Sequence, residues 1–400
     1  MIRVGRSIPF PKTRAMTVKI SSRSQISPFL VMDVMENARL LEEEGRDLVH
    51  MEVGQPGTPA PAAAVERLTR AMQGREPMGY TVALGLPELR RGVAGLYRKR
   101  YGIDLDPARV VVTPGSSGAF ILAFLALFDA GDRVALADPG YPAYRNILKA
   151  LDLETVRIET TLETRYQPTP DLLAGAGRLD GVLVASPANP TGTVLDAGAM
   201  QDLTRFAETQ NAAFISDEIY HGLTYGTPAV TALQFSDDAI VINSFAKYFS
   251  MTGWRIGWMV VPERLIRTVE NLAQNLFICS SHASQVAALG ALEAEQELEG
   301  HRAVYAANRR HLLDALPELG FSDIAPADGA FYIYADISRL SNDSTEFCAR
   351  LLREGGVAAT TGLDFDPVRG HHTMRFSFAR TEAEIIEGVR RLRAFVTGMA

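Results

Sequence analysis

Four places in this 400-residue chain set chemistry-bearing residues directly after short apolar runs. Val110–Thr113 (VVVT) leads into Pro114-Gly115-Ser116-Ser117-Gly118, and Gly181–Ala185 (GVLVA) leads into Ser186-Pro187-Ala188-Asn189-Pro190-Thr191-Gly192. Ala213–Asp217 (AFISD) ends in a carboxylate followed by Tyr220, and residues 240–243 (IVIN) lead into Ser244-Phe245-Ala246-Lys247. Together these could bring a phosphate cradle, an amide, a carboxylate, a phenol, a hydroxyl and an amine to one crevice. The small-residue turn at 114–118 offers backbone N–H groups at a helix start, a natural anion site. Singly, each has a plainer reading. GSSG can be a turn with a Ser N-cap, NPTG a solvated loop, Asp217 a turn former and Lys247 a surface charge. Arg375, on an alternating stretch, could simply face water.

The elements that must position these groups follow from the apolar pattern. Residues 110–113, 133–138, 181–185, 213–217, 240–243 and 257–261 are apolar on consecutive positions, as strands covered on both faces are. Helical stretches such as 116–130 and 196–210 lie between them, so a mainly parallel sheet is expected. Ligands of open α/β sheets bind outside the carboxyl ends of the strands, which is where the four groups stand. After about residue 262 the pattern changes to helical stretches at 263–277, 284–299 and 303–319. Strands are then expected at 330–335, 356–360 and 374–379, and a last helix at 381–396. In MRFSFA (374–379), Met374, Phe376 and Phe378 share one face and Arg375 lies on the other. Residues 1–25 read as an extended polar arm and 32–44 as a helix ending at Gly45. The expected division is therefore 1–47 (arm and first helix, part of a small domain), 48–285 (large domain) and 286–400 (small α+β domain).

Composition narrows the class. The chain is 47% hydrophobic and 22% charged, which excludes disorder, collagen and coiled coil as the main architecture. Forty basic against 47 acidic residues give a net charge of −7, against a nucleic-acid or anionic-membrane binder. Cys279 and Cys348 form no CxxC pair and the histidines, His371-His372 included, show no ligand spacing, so no metal site is expected. No apolar run reaches the length of a membrane span and no secretory h-region is present, so a cytoplasmic protein is expected.

Taken together, the motifs resemble the class I/II aminotransferases, the fold-type-I family that uses pyridoxal 5′-phosphate (PLP). The resemblance runs from about residue 27 to the C-terminus. It rests on VGQP (53–56), MGYTVALGLPELR (78–90), PGSSGA (114–119), DPGYPAY (138–144), SPANPTG (186–192), SDEIY (216–220), SFAKYFSMTGWRIGW (244–258) and MRFSFAR (374–380), in that order. SFAK followed by GWRIGW is the most specific element.

The resemblance implies a large domain with a mainly parallel, seven-stranded-type sheet flanked by helices, and a smaller α+β domain. It implies that Lys247 forms a Schiff base with PLP and acts as the base for Cα–H removal, which requires an amine whose pKa lies below the usual ~10.4. Asp217 would pair with the pyridine nitrogen, Asn189 and Tyr220 with the phenolic oxygen, and Tyr141 would stack on the ring. Ser116, Ser117, Ser244 and Arg255 would hold the phosphate, with Tyr80 reaching the phosphate of a neighbouring subunit in a homodimer with shared sites. Arg375, with Asn189 and the Gly54 backbone, would bind the substrate α-carboxylate. The implied reaction is ping-pong transfer of an amino group from an L-amino acid to a 2-oxo acid. Phe120-Ile121-Leu122-Ala123-Phe124-Leu125 after the phosphate turn carries no base, which favours a neutral aliphatic or aromatic donor. The same fold also serves PLP-dependent C–S lyases and synthases. A PLP-sensing DNA-binding regulator is disfavoured, because residues 1–45 are too few for an added basic module.

Overall fold

The computed structural model describes residues 19–226 and 228–399; most of the expected N-terminal arm, residues 1–18, lies outside them. The strands are β1 (Val49–His50), β2 (Val110–Thr113), β3 (Arg133–Asp138), β4 (Glu154–Glu159), β5 (Gly181–Ala185), β6 (Ala213–Asp217), β7 (Ile240–Ser244), β8 (Gly257–Val260), β9 (Tyr332–Asp336), β10 (Val357–Ala358), β11 (Thr360–Thr361) and β12 (Thr373–Ser377). Among the helices, α1 is Leu30–Glu43, α2 Ala62–Gln73, α3 Pro87–Tyr101, α4 Gly115–Leu127, α5 Pro142–Ala150, α6 Pro170–Ala174, α7 Ala197–Gln210, α8 Ile266–Leu276, α9 His282–Ala291, α10 Glu295–Glu318, α11 Ser344–Arg350 and α12 Glu382–Thr397.

Seven strands form one sheet in the order β2-β8-β7-β6-β5-β3-β4. Neighbouring pairs are parallel except those made by β8, which runs against both β2 and β7. The carboxyl ends of β2, β3, β5, β6 and β7 therefore share one rim. The consecutive apolar residues serve two cores. Val182 and Val184 join one buried cluster and Leu183 the other, and Val241 and Ile242 divide the same way. A sheet covered on both faces needs this pattern.

A second sheet, antiparallel, has the order β11-β12-β9, and β1 pairs with β10 in a short parallel ribbon. Met374, Phe376 and Phe378 are fully buried, as the alternation predicts, and Arg375 is buried too, at 2% exposure, so it does not face water. The register sets Arg375 opposite Tyr334 and Thr360. The N-terminus of α1 has no cap from its own Phe29. Asp364, far along the chain, accepts the Leu30 and Val31 N–H groups at 3.0 and 3.3 Å instead.

Three local expectations shift. Strand β4 (ETVRIE) was not evident in the sequence because it is an edge strand whose buried Val156 and Ile158 alternate with polar residues. The helical stretches 284–299 and 303–319 divide at Leu292–Ala294; α10 then runs unbroken through Gly300, which is exposed with open space around it. Residues 356–360, read as one strand, split into β10 and part of β11. The expected domain limit at 285/286 falls inside α9. Among the described residues, no helix is long and apolar enough to cross a membrane.

Candidate active site

A cavity of about 190 Å³ opens at the rim, between the seven-stranded sheet and the strand that carries Arg375. Gly54, Ser116, Ser117, Tyr141, Asn189, Tyr220, Lys247, Arg255 and Arg375 all border it. Asp217 and Ser244 are buried and hydrogen-bonded to residues that line it, and Tyr80, 83% exposed, does not border it.

After β7 the chain turns tightly. Ser244 Oγ accepts the Ala246 N–H at 3.0 Å and donates to the Ile256 carbonyl at 3.2 Å, so this hydroxyl is engaged by backbone. The turn delivers Lys247, whose Nζ donates to the Gly54 carbonyl at 2.5 Å. Burial, with the positive charge of Arg375 adding to it, lowers the Lys247 ammonium to about 8, against an opposing pull from Asp217. About a tenth of the amine is therefore uncharged at pH 7, far more than for a lysine at the usual ~10.4.

Asp217 ends β6. One carboxylate oxygen accepts the Ile219 N–H at 3.1 Å, and the other accepts the Tyr144 hydroxyl. Burial pushes its pKa up to about 6, and these hydrogen bonds hold it from rising further. Tyr144 follows Tyr141 by three positions and lies one turn along at the start of α5 (Tyr141 being its N-cap), and their rings meet edge to face at 5.2 Å. Burial raises the Tyr141 hydroxyl to about 12 and that of Tyr220 well above the usual phenol range.

The anion cradle sits where α4 begins. Gly115 has φ +74°, and a Cβ there would come within 2.7 Å of Arg255 Nη2. A Cβ on Gly257 would lie 3.1 Å from the Gly115 carbonyl carbon and 3.2 Å from Ser116 N. Both glycines let the guanidinium of Arg255 and the first N–H groups of α4 approach one point.

Arg375, which also borders the cavity, donates from Nη1 to Asn189 Oδ1 at 2.8 Å and from Nη2 to the Glu52 carbonyl at 2.5 Å. Its guanidinium lies between the rings of Tyr332 (4.3 Å) and Phe365 (4.6 Å), and its Nε has no hydrogen-bond partner among the described residues. The apolar border of the cavity comes from Phe29, Val31, Met32, Val53 and Phe120.

Sequence reasoning missed Tyr144, Tyr332 and Phe365. Tyr144 could have been found from its i+3 spacing to Tyr141. Tyr332 and Phe365 depend on strand pairing and a loop path that no local pattern encodes.

Residues 46–392 match the family model for aminotransferase class I and II. A valine–pyruvate aminotransferase of Mycobacterium tuberculosis is 47% identical over 386 residues, covering 95% of this chain and 99% of that protein. A crystal structure from Silicibacter pomeroyi is 58% identical, with a TM-score of 0.91 over 95% of this chain and 100% of that one. An aspartate aminotransferase structure from Thermus thermophilus, solved with maleate, is 31% identical, with a TM-score of 0.88 over 94% of this chain and 99% of that one. Sheet, site and relatives agree: the chain belongs to the class I and II aminotransferases and has their fold-type-I α/β architecture.

Proposed function

We propose that this aminotransferase moves the α-amino group of a neutral, apolar L-amino acid to a small 2-oxo acid, with PLP held on Lys247. The observation that carries the reading is the buried Lys247 amine, its ammonium lowered to about 8, in one cavity with an anion cradle and a carboxylate clamp. The residues present fit the coenzyme. The glycine-floored cradle at Gly115, Ser116, Ser117 and Arg255, with Ser244 bracing the turn behind it, matches a phosphate ester. Tyr141 offers a ring face, Asn189 and Tyr220 offer polar groups for a ring oxygen, and the buried Asp217 carboxylate suits a ring cation. When bound, PLP supplies an aldehyde for the amine and an electron-withdrawing ring.

The protein's own groups do the rest. Arg375 exchanges the Glu52 carbonyl for the substrate carboxylate, while Asn189 fixes its other nitrogen. Lys247 leaves the Gly54 carbonyl and carries the Cα proton on Nζ, a task suited to a base with a pKa near the working pH. The acid–base work and the orientation thus come from different sheets.

The cations bordering the cavity are Lys247, Arg255 and Arg375, and each already has a role, which supports a neutral donor. So does the valine–pyruvate aminotransferase at 47% identity, against aspartate aminotransferases near 30%. These names also support transamination over C–S elimination. We read the protein as a homodimer in which the exposed Tyr80 meets the partner's phosphate. We also read the small unit as starting at the Leu292–Ala294 break.

The test is a spectral scan of the holoenzyme across a panel of L-amino acids, with pyruvate then added. Loss of the visible band with valine and other apolar donors, and its return with pyruvate, is expected. No response to any amino acid, or aspartate as the best donor, would overturn the reading, as would borohydride trapping on a lysine other than Lys247.

A further inference from the structure

We propose that Tyr332 is a positioning residue that links carboxylate recognition at Arg375 to the hydrogen-bonding strength of Tyr220; the proposal rests on the coenzyme reading above. Tyr332 starts β9, opposite Ser377, and Arg375 sits opposite Tyr334. Tyr332 and Arg375 are therefore diagonal neighbours on one face of the antiparallel pair, within reach of a long aromatic side chain. The guanidinium accordingly rests 4.3 Å from the ring centre. The far end of the same ring crosses to the large sheet, where its hydroxyl lies 2.7 Å from that of Tyr220. Both tyrosines are buried, and Phe331 packs edge-on against Tyr220 at 5.5 Å, fixing the pair.

Gly54 reports how tightly this junction is built. A Cβ there would fall 2.1 Å from Tyr332 Oη, so only glycine admits the hydroxyl. The carbonyl of that same glycine takes the Lys247 hydrogen bond. The Tyr332 hydroxyl thus stands where Tyr220 and Gly54 meet, and its ring carries Arg375.

The direction of the tyrosine–tyrosine bond follows from the roles. Tyr220 spends its O–H on the ring oxygen of the coenzyme, so its own oxygen accepts from Tyr332. A donor that also accepts is polarised and donates more strongly. The ring of Tyr332, independently, holds the face of Arg375 by a buried cation–π contact. One residue therefore acts on both halves of the site through separable parts, hydroxyl and ring.

Tyr332→Phe and Tyr332→Leu separate those parts in the holoenzyme. The phenylalanine variant keeps the ring and the packing. Its Tyr220 is a weaker donor, more negative charge stays on the ring oxygen, and protons in the site are held more tightly. The pH midpoint of the visible absorption should rise by about half a unit. KM for the donor amino acid should stay within about twofold. The leucine variant should raise KM about tenfold further, with a much smaller change for an amine lacking a carboxylate. An unmoved midpoint in Tyr332→Phe overturns the hydroxyl link. Equal KM in the two variants overturns the ring's role, and if Tyr332→Leu does not fold the phenylalanine titration alone decides the hydroxyl link. If wild-type protein shows no pH-dependent visible band with PLP, the coenzyme reading falls and this proposal with it.

Discussion

The amine and the guanidinium that border the cavity are held in opposite ways. Lys247 follows a strand of the seven-stranded sheet, in a turn closed by Ser244 and backbone hydrogen bonds between residues 244 and 256. Arg375 lies within a strand of the three-stranded sheet and is held by side chains and carbonyls from distant segments: Asn189, Glu52, Tyr332 and Phe365. The first arrangement is local and rigid. The second is assembled from four places in the chain, and one of its hydrogen bonds, to the Glu52 carbonyl, is the one that the proposed substrate carboxylate would displace.

Experiments can press on this contrast, beginning where the loss is greatest. Lys247→Ala removes the proposed nucleophile and proton carrier together, and the half-reaction should slow by about a thousandfold or more. Stopped-flow absorbance would show it, and a rate within tenfold of wild type would place the chemistry elsewhere. Arg375→Lys keeps the charge but loses the planar fork, and kcat/KM for α-amino acids should fall about a hundredfold. A carboxylate-free amine should be nearly indifferent; equal losses for both would mean that Arg375 supports the fold and not the clamp.

Tyr144→Phe removes a donor to the Asp217 carboxylate. Its pKa, already about 6, should climb, because the lost hydrogen bond favoured the charged form. The acid limb of the kcat/KM profile should move to higher pH and activity at pH 7 should drop about tenfold. An unchanged limb would detach Tyr144 from Asp217. Capture of PLP by the apoprotein should quicken as pH rises through about 8, where Lys247 loses its proton. A midpoint near the free lysine value of ~10.4 would show that burial does not tune this amine. The smallest effect belongs to Asp364→Ala, which uncaps α1 and should cost about 1 kcal/mol in denaturant unfolding. No change at all would mean that Asp364 contributes nothing to the stability of α1.

The same contrast explains what the sequence made legible. The large-sheet residues could be read because each follows a strand that is apolar without interruption and ends in a turn of recognisable composition. Position along the chain was then nearly position in space. Arg375 was legible as a type, from the alternation of MRFSFA, but not its burial, since Ser377 and Ala379 on the same alternating set are buried too. Tyr332 and Phe365 could not be reached, because they meet Arg375 through register and a loop whose path depends on tertiary packing. Strand β4 escaped for an opposite reason: a solvated edge carries charged residues that mask its pattern. The break at Leu292–Ala294 escaped because exposed Gly300 is a stronger local signal for a helix end than any of those three residues.

The reversed strand β8 brings its beginning, not its end, to the rim where the others finish. Arg255 therefore comes back to the site eight positions after Lys247, on the loop of a single hairpin closed by Ser244 and Gly257. The two groups proposed to hold the aldehyde and the phosphate of the coenzyme thus belong to one short span of chain. On that proposal the loop would work as a caliper: its length would set how far apart an aldehyde and a phosphate must be to be gripped at once, and a single inserted residue would change the gauge.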